Sequence, residues 1–122
     1  MTSNAHLAAG EPSRAELDGL EGPAMVEFGT DWCGYCRGAQ PLIAAPLADH
    51  PRVRHVKVED GRGRRLGRSF GVKLWPTLVF LCDGRELARL VRPRSEQEIL
   101  RALALIDPSC GAGGAPNRDA VS

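Results

Sequence analysis

Two cysteines separated by two residues are the feature of this sequence best suited to chemistry. Cys33 and Cys36 lie in the segment Trp-Cys-Gly-Tyr-Cys-Arg at 32–37, after an apolar run and before a segment that can be helical. A thiol in the first turn of a helix faces unpaired backbone N–H groups and the positive end of the helix dipole, which lower its pKa. Cys33 is therefore the predicted nucleophile. Cys36 lies one turn further along and can close a small disulfide with Cys33, so the pair can accept or release two electrons.

A structural zinc site is the alternative interpretation, because Cys-x-x-Cys also supplies half of such a site. Two further ligands at a compatible spacing would be needed. Cys82 and Cys110 stand alone, and the three histidines form no His-x-x-x-His pair. We therefore expect no metal. We expect Cys82 and Cys110 to be free thiols, with a disulfide between them as the alternative.

Length, charge and hydropathy limit the other possibilities. A chain of 122 residues suits one domain with one core, and a formal net charge of +1 gives no argument for nucleic acid or a membrane surface. Residues 1–12 lack the basic and apolar regions of a signal peptide, and no apolar run reaches the length of a transmembrane helix. We expect a cytoplasmic protein, or a periplasmic one if an export signal has been removed.

Hydrophobic patterns and capping signals predict alternating helices and strands. Capping boxes begin the first and last helices at Ser13 and Ser95, and Asp83-Gly84 between two apolar runs predicts a hairpin. Pro41 should kink the helix that carries the cysteines, while Pro46 suggests an irregularity or an early end. The expected domain covers 13–107, between a flexible arm at 1–12 and a disordered tail at 108–122. The order of elements predicts an α/β fold with helices on both faces of a mixed sheet.

Several motifs together resemble the thioredoxin family, from about residue 24 to about residue 105. A lone Cys-x-x-Cys pair would be a weak signal, but the set is highly specific in this order and spacing. The resemblance implies a thioredoxin-like fold, a three-layer α/β/α sandwich. We expect four strands, with five as the alternative, because residues 1–12 lack the apolar alternation of an additional strand. The motifs are Val26-Glu27-Phe28, Trp32-Cys33-Gly34-Tyr35-Cys36-Arg37, Pro41, Lys57, Phe70-Gly71-Val72, Trp75-Pro76-Thr77 and Asp83-Gly84.

The resemblance also implies how the cysteines work. Cys33 would attack a target disulfide and Cys36 would resolve the mixed disulfide, with no bound cofactor beyond the Cys33–Cys36 pair. Pro76 matches the family's cis-proline, which lies beside the reactive sulfur and leaves a neighbouring backbone free to pair with an extended substrate. From the residues alone, an ordinary trans proline that opens a strand is the alternative.

Glu27 is a carboxylate in an apolar run, at a position where the family usually has an aspartate. In the family this acid lies under the disulfide and moves a proton to or from the resolving thiol, with a lysine matching Lys57 nearby. We expect burial to raise the pKa of Glu27 toward neutrality and the Lys57 ammonium to moderate that rise. A position on a solvent-facing edge is the alternative.

Other residues of the predicted site depart from the family's pattern. Tyr35 stands where the commonest motif has proline, as in some periplasmic disulfide isomerases, which predicts a pair less reducing than that of a typical thioredoxin. Trp32 and Trp75 are expected to form an apolar rim for extended segments, with core packing as the alternative. Arg92 replaces a glycine that lets a partner approach closely. The expected substrate contacts are Trp32, Gly34, Tyr35, Trp75, Pro76 and Arg92.

These observations predict a thiol-disulfide oxidoreductase that acts on protein disulfides. It would work as a cytoplasmic reductase and as a monomer, recharged by an unidentified reductase or thiol donor, with no nucleic acid or membrane partner. A thioredoxin-like module that binds a partner through Trp32 and Trp75 is one alternative. A disulfide isomerase or oxidant in an oxidising compartment is the other.

Overall fold

The structure, a computed structural model, describes residues 12–107 and residue 110. The predicted arm and tail lie almost entirely outside these residues, so both stay predictions. None of the helices in the described part is both long and apolar enough to cross a membrane. The elements in chain order are α1 (Arg14–Asp18), β1 (Pro23–Gly29), α2 (Gly34–Ala48), β2 (Arg54–Glu59), α3 (Arg65–Ser69), β3 (Thr77–Cys82), β4 (Arg85–Val91) and α4 (Glu96–Ile106).

The four strands form one mixed sheet in the order β2-β1-β3-β4. β1 pairs with β2 in parallel and with β3 antiparallel, and β3 and β4 form the predicted hairpin. Asp83 and Gly84, at the hairpin turn, have positive φ angles of 51° and 84°, as the tight turns that match strand twist require. The expected mixed sheet of four strands is confirmed for the described residues.

The side chains of β1 alternate between the two faces of the sheet, because successive residues of a strand point to opposite sides. Val26 and Phe28 pack with residues of α1 and α3. Met25 packs with residues of α2 and α4. Helices therefore cover both faces, which confirms the predicted three-layer sandwich. Glu27 and Gly29 lie two and four residues after Met25, so they are on the same face of the sheet as Met25 and face α2.

The helix that carries the cysteines runs through both of its prolines. Cys33 is the N-cap of α2, and the helix continues past Pro41 and Pro46 to Ala48. An early end at Pro46 is therefore wrong. The Pro46 ring is buried, and the packing of a helix face against the core can outweigh one lost backbone hydrogen bond.

Cys82 and Cys110 form a disulfide with their Cα atoms 5.5 Å apart, so the expectation of two free thiols is wrong. A polar cluster explains how Cys110 reaches the end of β3. Arg52 donates one hydrogen bond to the Cys110 carbonyl oxygen (3.0 Å) and another to Asp107 (2.6 Å). Asp107 also lies 2.8 Å from His50 Nδ1. These contacts fix the chain just beyond α4 and bring Cys110 next to Cys82. The sequence, in which Cys110 is a lone cysteine in a polar tail, does not indicate this position.

Candidate active site

Cys33 lies where the chain enters α2, and the local geometry favours its thiolate. Cys33 Sγ accepts a hydrogen bond from the Cys36 backbone N–H at 3.4 Å. Burial opposes ionisation, but hydrogen bonds from Cys36 and from the Tyr35 backbone, with the charge of Arg92, outweigh it. The pKa of Cys33 is therefore lowered from its ordinary value of 9.0, as expected for a thiol at a helix N-terminus.

Cys36 has the opposite properties. Its side chain is buried, and burial is the largest cause that raises its pKa to about 11. The hydrogen bond and charge of Cys33 and the charge of Glu27 raise it further, against a backbone hydrogen bond from Thr30. At neutral pH the pair therefore holds an activated thiol and a protonated reserve thiol. Among the residues that the structure describes, neither cysteine belongs to a group of three side chains able to hold a metal.

Glu27 is buried on the central strand β1, with 3% of its surface exposed, so the solvent-facing alternative is wrong. Its Oε2 accepts from Gln40 Nε2 at 2.7 Å, and its Oε1 lies 2.8 Å from His55 Nε2. Burial alone would raise the pKa of Glu27, but these two hydrogen bonds and the charges of His55 and Lys57 outweigh it. The pKa is lowered, so the expected rise toward neutrality is wrong.

His55, and not Lys57, is the direct basic partner of Glu27. Lys57 stands opposite Glu27 in the β1–β2 register, but its side chain is exposed and it acts on Glu27 through charge alone. His55 lies two residues earlier on the same face of β2, and its side chain is 20% exposed. The sequence prediction missed His55. The period of two that links it to Lys57 is the signal that could have identified it.

Pro76, the residue just before β3, lies on the other side of the site. The peptide bond between Trp75 and Pro76 is cis. Gly29 faces both Pro76 and the cysteines, because a Cβ built there would lie 2.5 Å from Cys36 Sγ and 3.9 Å from Pro76 Cβ. The absence of a side chain at Gly29 therefore makes room for the Cys36 sulfur next to Pro76.

The two tryptophans form an edge-to-face pair at the rim of the site. The rings of Trp32 and Trp75 are 5.7 Å apart with an interplanar angle of 81°. Trp32 is 69% exposed, so its core-packing alternative is wrong. Trp75 is half-buried, and its Nε1 donates to Asp60 Oδ2 at 2.8 Å. This bond fixes the Trp75 ring, against which Trp32 offers an exposed apolar surface.

Arg92 bridges the segment before Pro76 and the first turn of α2. Its backbone N–H donates to the Pro76 carbonyl at 2.9 Å, and its Nε donates to the Trp75 carbonyl at 2.8 Å. Its guanidinium carbon lies 3.8 Å from the centroid of the Tyr35 ring, a cation–π contact. Gly34, which is exposed, lines the same open groove of about 1060 Å³ as Tyr35 and Arg92.

The structure thus brings the predicted residues together around the start of α2. Lys57 differs from the prediction, because it contributes only charge, and His55, which was not predicted, belongs to the site. The residues gathered there are Glu27, Trp32, Cys33, Gly34, Tyr35, Cys36, His55, Trp75, Pro76 and Arg92.

Comparisons with known proteins identify the family of the chain. The family model described as Thioredoxin matches residues 11–104. A thioredoxin of Chlamydia muridarum is 30% identical over 83 residues, which cover 68% of this chain and 81% of that protein. A thioredoxin of Mycolicibacterium smegmatis is 30% identical over 89 residues, 70% of this chain and 80% of that one.

Solved structures give the same result. Reduced thioredoxin 2 from Pseudomonas aeruginosa PAO1 is 58% identical, covers 87% of this chain and 96% of its own, and superposes with a TM-score of 0.74. Thioredoxin NaTrxh from Nicotiana alata is 27% identical, covers 76% and 80%, and has a TM-score of 0.65. The chain therefore belongs to the thioredoxin family, the protein disulfide oxidoreductases whose redox group is their own cysteine pair.

Proposed function

We propose that this protein reduces disulfides of other proteins with the dithiol of Cys33 and Cys36. The observation that carries the proposal is the opposite shift of the two thiols, since the pKa of Cys33 is lowered and that of Cys36 is raised to about 11. A nucleophile must be a thiolate when substrate arrives, whereas the resolving thiol must stay protonated until the mixed disulfide exists.

The reaction proceeds in two exchanges. The Cys33 thiolate attacks one sulfur of the substrate disulfide, so a Cys33–substrate disulfide forms and the other substrate sulfur leaves as a thiolate. The Cys36 thiolate then attacks Cys33 Sγ, the Cys33–Cys36 disulfide forms, and the second substrate thiolate leaves. Two electrons pass from the dithiol to the substrate, and a separate reductase or thiol donor returns them.

Glu27 accepts the proton that Cys36 loses in the second exchange. The Glu27 carboxylate is ionised at neutral pH, so it can take up the proton, and its lowered pKa means that it passes the proton on and does not retain it. Gln40 Nε2 donates both to Glu27 Oε2 and, at 2.9 Å, to the Cys36 carbonyl oxygen, which ties the acid to the turn that carries Cys36. Glu27 thus acts as the general base, with His55 as the residue that holds it ionised.

We further propose that the protein acts as a cytoplasmic monomer, without nucleic acid or membrane partners, and is less reducing than common thioredoxins. Tyr35 supports the last point, because the residues between the cysteines influence how well the thiolate is stabilised. Equilibration against a glutathione redox buffer measures the potential. A value as low as that of common thioredoxins would overturn this part of the proposal, and an oxidising value would favour isomerisation or oxidation.

Reduction of insulin disulfides in the presence of dithiothreitol tests the function itself. The wild type should accelerate the reaction, while Cys33→Ser should be inactive. Cys36→Ser, reduced and then freed of dithiothreitol before insulin is added, should accumulate a mixed disulfide that mass spectrometry identifies, because its first exchange is intact and no other thiol is present to resolve it. A wild-type rate equal to the dithiothreitol background, with no trapped species, would favour a binding module that uses Trp32 and Trp75.

A further inference from the structure

We infer that Arg92 selects the substrate: the protein prefers disulfides in which an acidic residue flanks the cysteine that Cys33 attacks. This inference rests on the proposed reductase function and adds a substrate class to it. Its basis is a guanidinium that is fixed beside the nucleophile and still has N–H groups to donate.

Arg92 is held in place before any substrate arrives. Its φ angle of 52° lies in the left-handed region, and its backbone N–H bonds to the Pro76 carbonyl. The side chain is fixed at two points, by the Nε bond to the Trp75 carbonyl and by the contact with the Tyr35 ring. Binding an anion there costs less side-chain entropy than it would at a mobile arginine.

The terminal nitrogens of Arg92 are unused. Within residues 12–107 and 110, Nη1 and Nη2 of Arg92 have no hydrogen-bond acceptor. By contrast, Arg14 is paired with Asp18 and Arg89 with Glu86. A planar guanidinium with free N–H groups matches the two oxygens of a carboxylate.

The groove around Arg92 strengthens this preference. Leu74 and Val91 line it with exposed apolar surface, 48% and 47% exposed. Glu98 and Arg94 also line the groove with opposite charges, and Glu98 Oε2 accepts from the Arg94 backbone N–H at 3.0 Å, so Arg92 decides the sign of the charge in the groove. The apolar walls reduce solvent screening of the Arg92 charge once a substrate covers the groove.

The position of Arg92 restricts which substrate residue it can meet. Tyr35, on which the guanidinium lies, is two residues from Cys33, and the charge of Arg92 acts on the Cys33 sulfur. The Trp75 carbonyl, beside Pro76, is already bonded to Arg92 Nε. Nη1 and Nη2 of Arg92 stay available while Nε keeps this bond, so a carboxylate near the attacked sulfur gives the guanidinium an additional acceptor.

Three disulfide-linked peptides that differ only in the residue beside the attacked cysteine, Asp, Asn or Lys, test the inference. The reduced protein is mixed with each peptide, and the second-order rate constant of reduction is measured at low ionic strength. Each rate is divided by the rate with dithiothreitol, a small reductant that also attacks as a thiolate but carries no arginine, because a neighbouring charge also changes the intrinsic reactivity of the peptide disulfide. The wild type should reduce the Asp peptide about tenfold faster than the Lys peptide after this correction.

Arg92→Gly should bring this ratio close to one, because it removes the guanidinium. Glycine is chosen because it accepts the left-handed backbone at this position without strain. Arg92→Lys keeps the charge but not the planar fork, so it should retain part of the ratio. Arg85→Ala, at the opposite end of β4, removes an exposed charge as a matched control and should leave the ratio unchanged. Raising the salt concentration to about 1 M should reduce the wild-type ratio.

The possible results distinguish a failure of the acidic preference from a failure of the proposed reductase function. Equal corrected rates for the three peptides in the wild type would overturn the acidic preference while leaving the reductase intact. A ratio that survives in Arg92→Gly would assign the preference to another residue. Failure to reduce any of the peptides would count against the proposed function itself. An effect of Arg92 on Cys33 ionisation alone would change all three rates by the same factor and leave the ratio intact.

Discussion

His55 Nε2 lies 2.8 Å from Glu27 Oε1, so the acid behind the cysteine pair is bonded to a histidine on the neighbouring strand. An ionised carboxylate can only accept hydrogen bonds, so Nε2 must carry the proton that makes this bond. The Glu27 side chain is 4% exposed and that of His55 is 20% exposed. The pair therefore connects a buried proton acceptor to a residue that reaches toward solvent.

Replacing His55 should change the ionisation of Glu27 more than replacing Lys57. His55→Leu removes one hydrogen bond and one charge that oppose the effect of burial on Glu27, so the pKa of Glu27 should rise. In Lys57→Met only a charge contribution is lost, and the rise should be smaller. Titration of the Glu27 carboxyl carbon by NMR measures both shifts. An equal or larger shift in Lys57→Met would restore Lys57 as the main partner.

The two active-site thiols should be alkylated in different pH ranges. The thiolate is the reactive form, and the pKa of Cys33 is lowered from 9.0 whereas that of Cys36 is raised to about 11. Alkylation of Cys33 by iodoacetamide should therefore reach its half-maximal rate below pH 9.0, and Cys36 should stay unmodified there. Mass spectrometry of the reduced protein across pH gives the profile.

Cys36→Ala provides the matched test of that profile. The Cys36 thiol donates to the Cys33 sulfur and helps to lower the pKa of Cys33, so its removal should move the half-maximal pH of Cys33 upward. A wild-type midpoint at or above pH 9.0, or no change in Cys36→Ala, would contradict the assignment of Cys33 as the activated thiol.

Gly29→Ala should destabilise the reduced protein by about 1–3 kcal/mol and slow the second exchange, because the new methyl group meets the Cys36 sulfur. A Cβ at Gly29 would lie 2.5 Å from that sulfur, whereas a Cβ at Gly38 would meet nothing within 4 Å. Gly38→Ala, inside α2, should instead stabilise the fold by up to about 1 kcal/mol. Denaturant unfolding of the reduced forms compares the two, and similar stabilities would show that Cys36 has room to move.

The Cys82–Cys110 disulfide should stabilise the fold by about 3–4 kcal/mol, because it closes a loop with a sequence separation of 28. The clean comparison uses Cys33→Ser/Cys36→Ser as background, with and without Cys82→Ser/Cys110→Ser, in guanidinium unfolding. Adding a reductant should lower the midpoint of the background protein and leave the variant without this disulfide unchanged. No effect of reductant on the background would show that the crosslink does not form in solution.

Local signals in the sequence predicted the parts of the site that depend on neighbouring residues. Asp83 and Gly84 form the hairpin turn through their positive φ angles, and Cys33 caps α2 because its side chain accepts a hydrogen bond from the Cys36 backbone N–H. His55 was missed because its contact with Glu27 depends on the register between β1 and β2, which neither strand specifies alone.

Two other predictions from the sequence were wrong because they depend on contacts between distant residues. The direction of the Glu27 pKa shift follows from a competition between burial, which raises the pKa, and hydrogen bonds, which lower it. The hydrogen bonds can be known only once the fold shows that Gln40 and His55 both reach the carboxylate. Cys110 meets Cys82 because Arg52 and Asp107 hold the chain beyond α4. Long-range contacts of this kind leave no periodic trace in the sequence.

The edge-to-face pair of Trp32 and Trp75 gives the protein a built-in optical probe. The chain contains two tryptophans, and both are in this pair at the rim of the site. Tryptophan emission from the whole molecule is thus a local signal, sensitive to closure of the Cys33–Cys36 disulfide and to a partner that covers Trp32. In unfolding experiments, tryptophan emission reports only the loss of this rim. Unfolding of the sheet has to be measured separately, for example by circular dichroism.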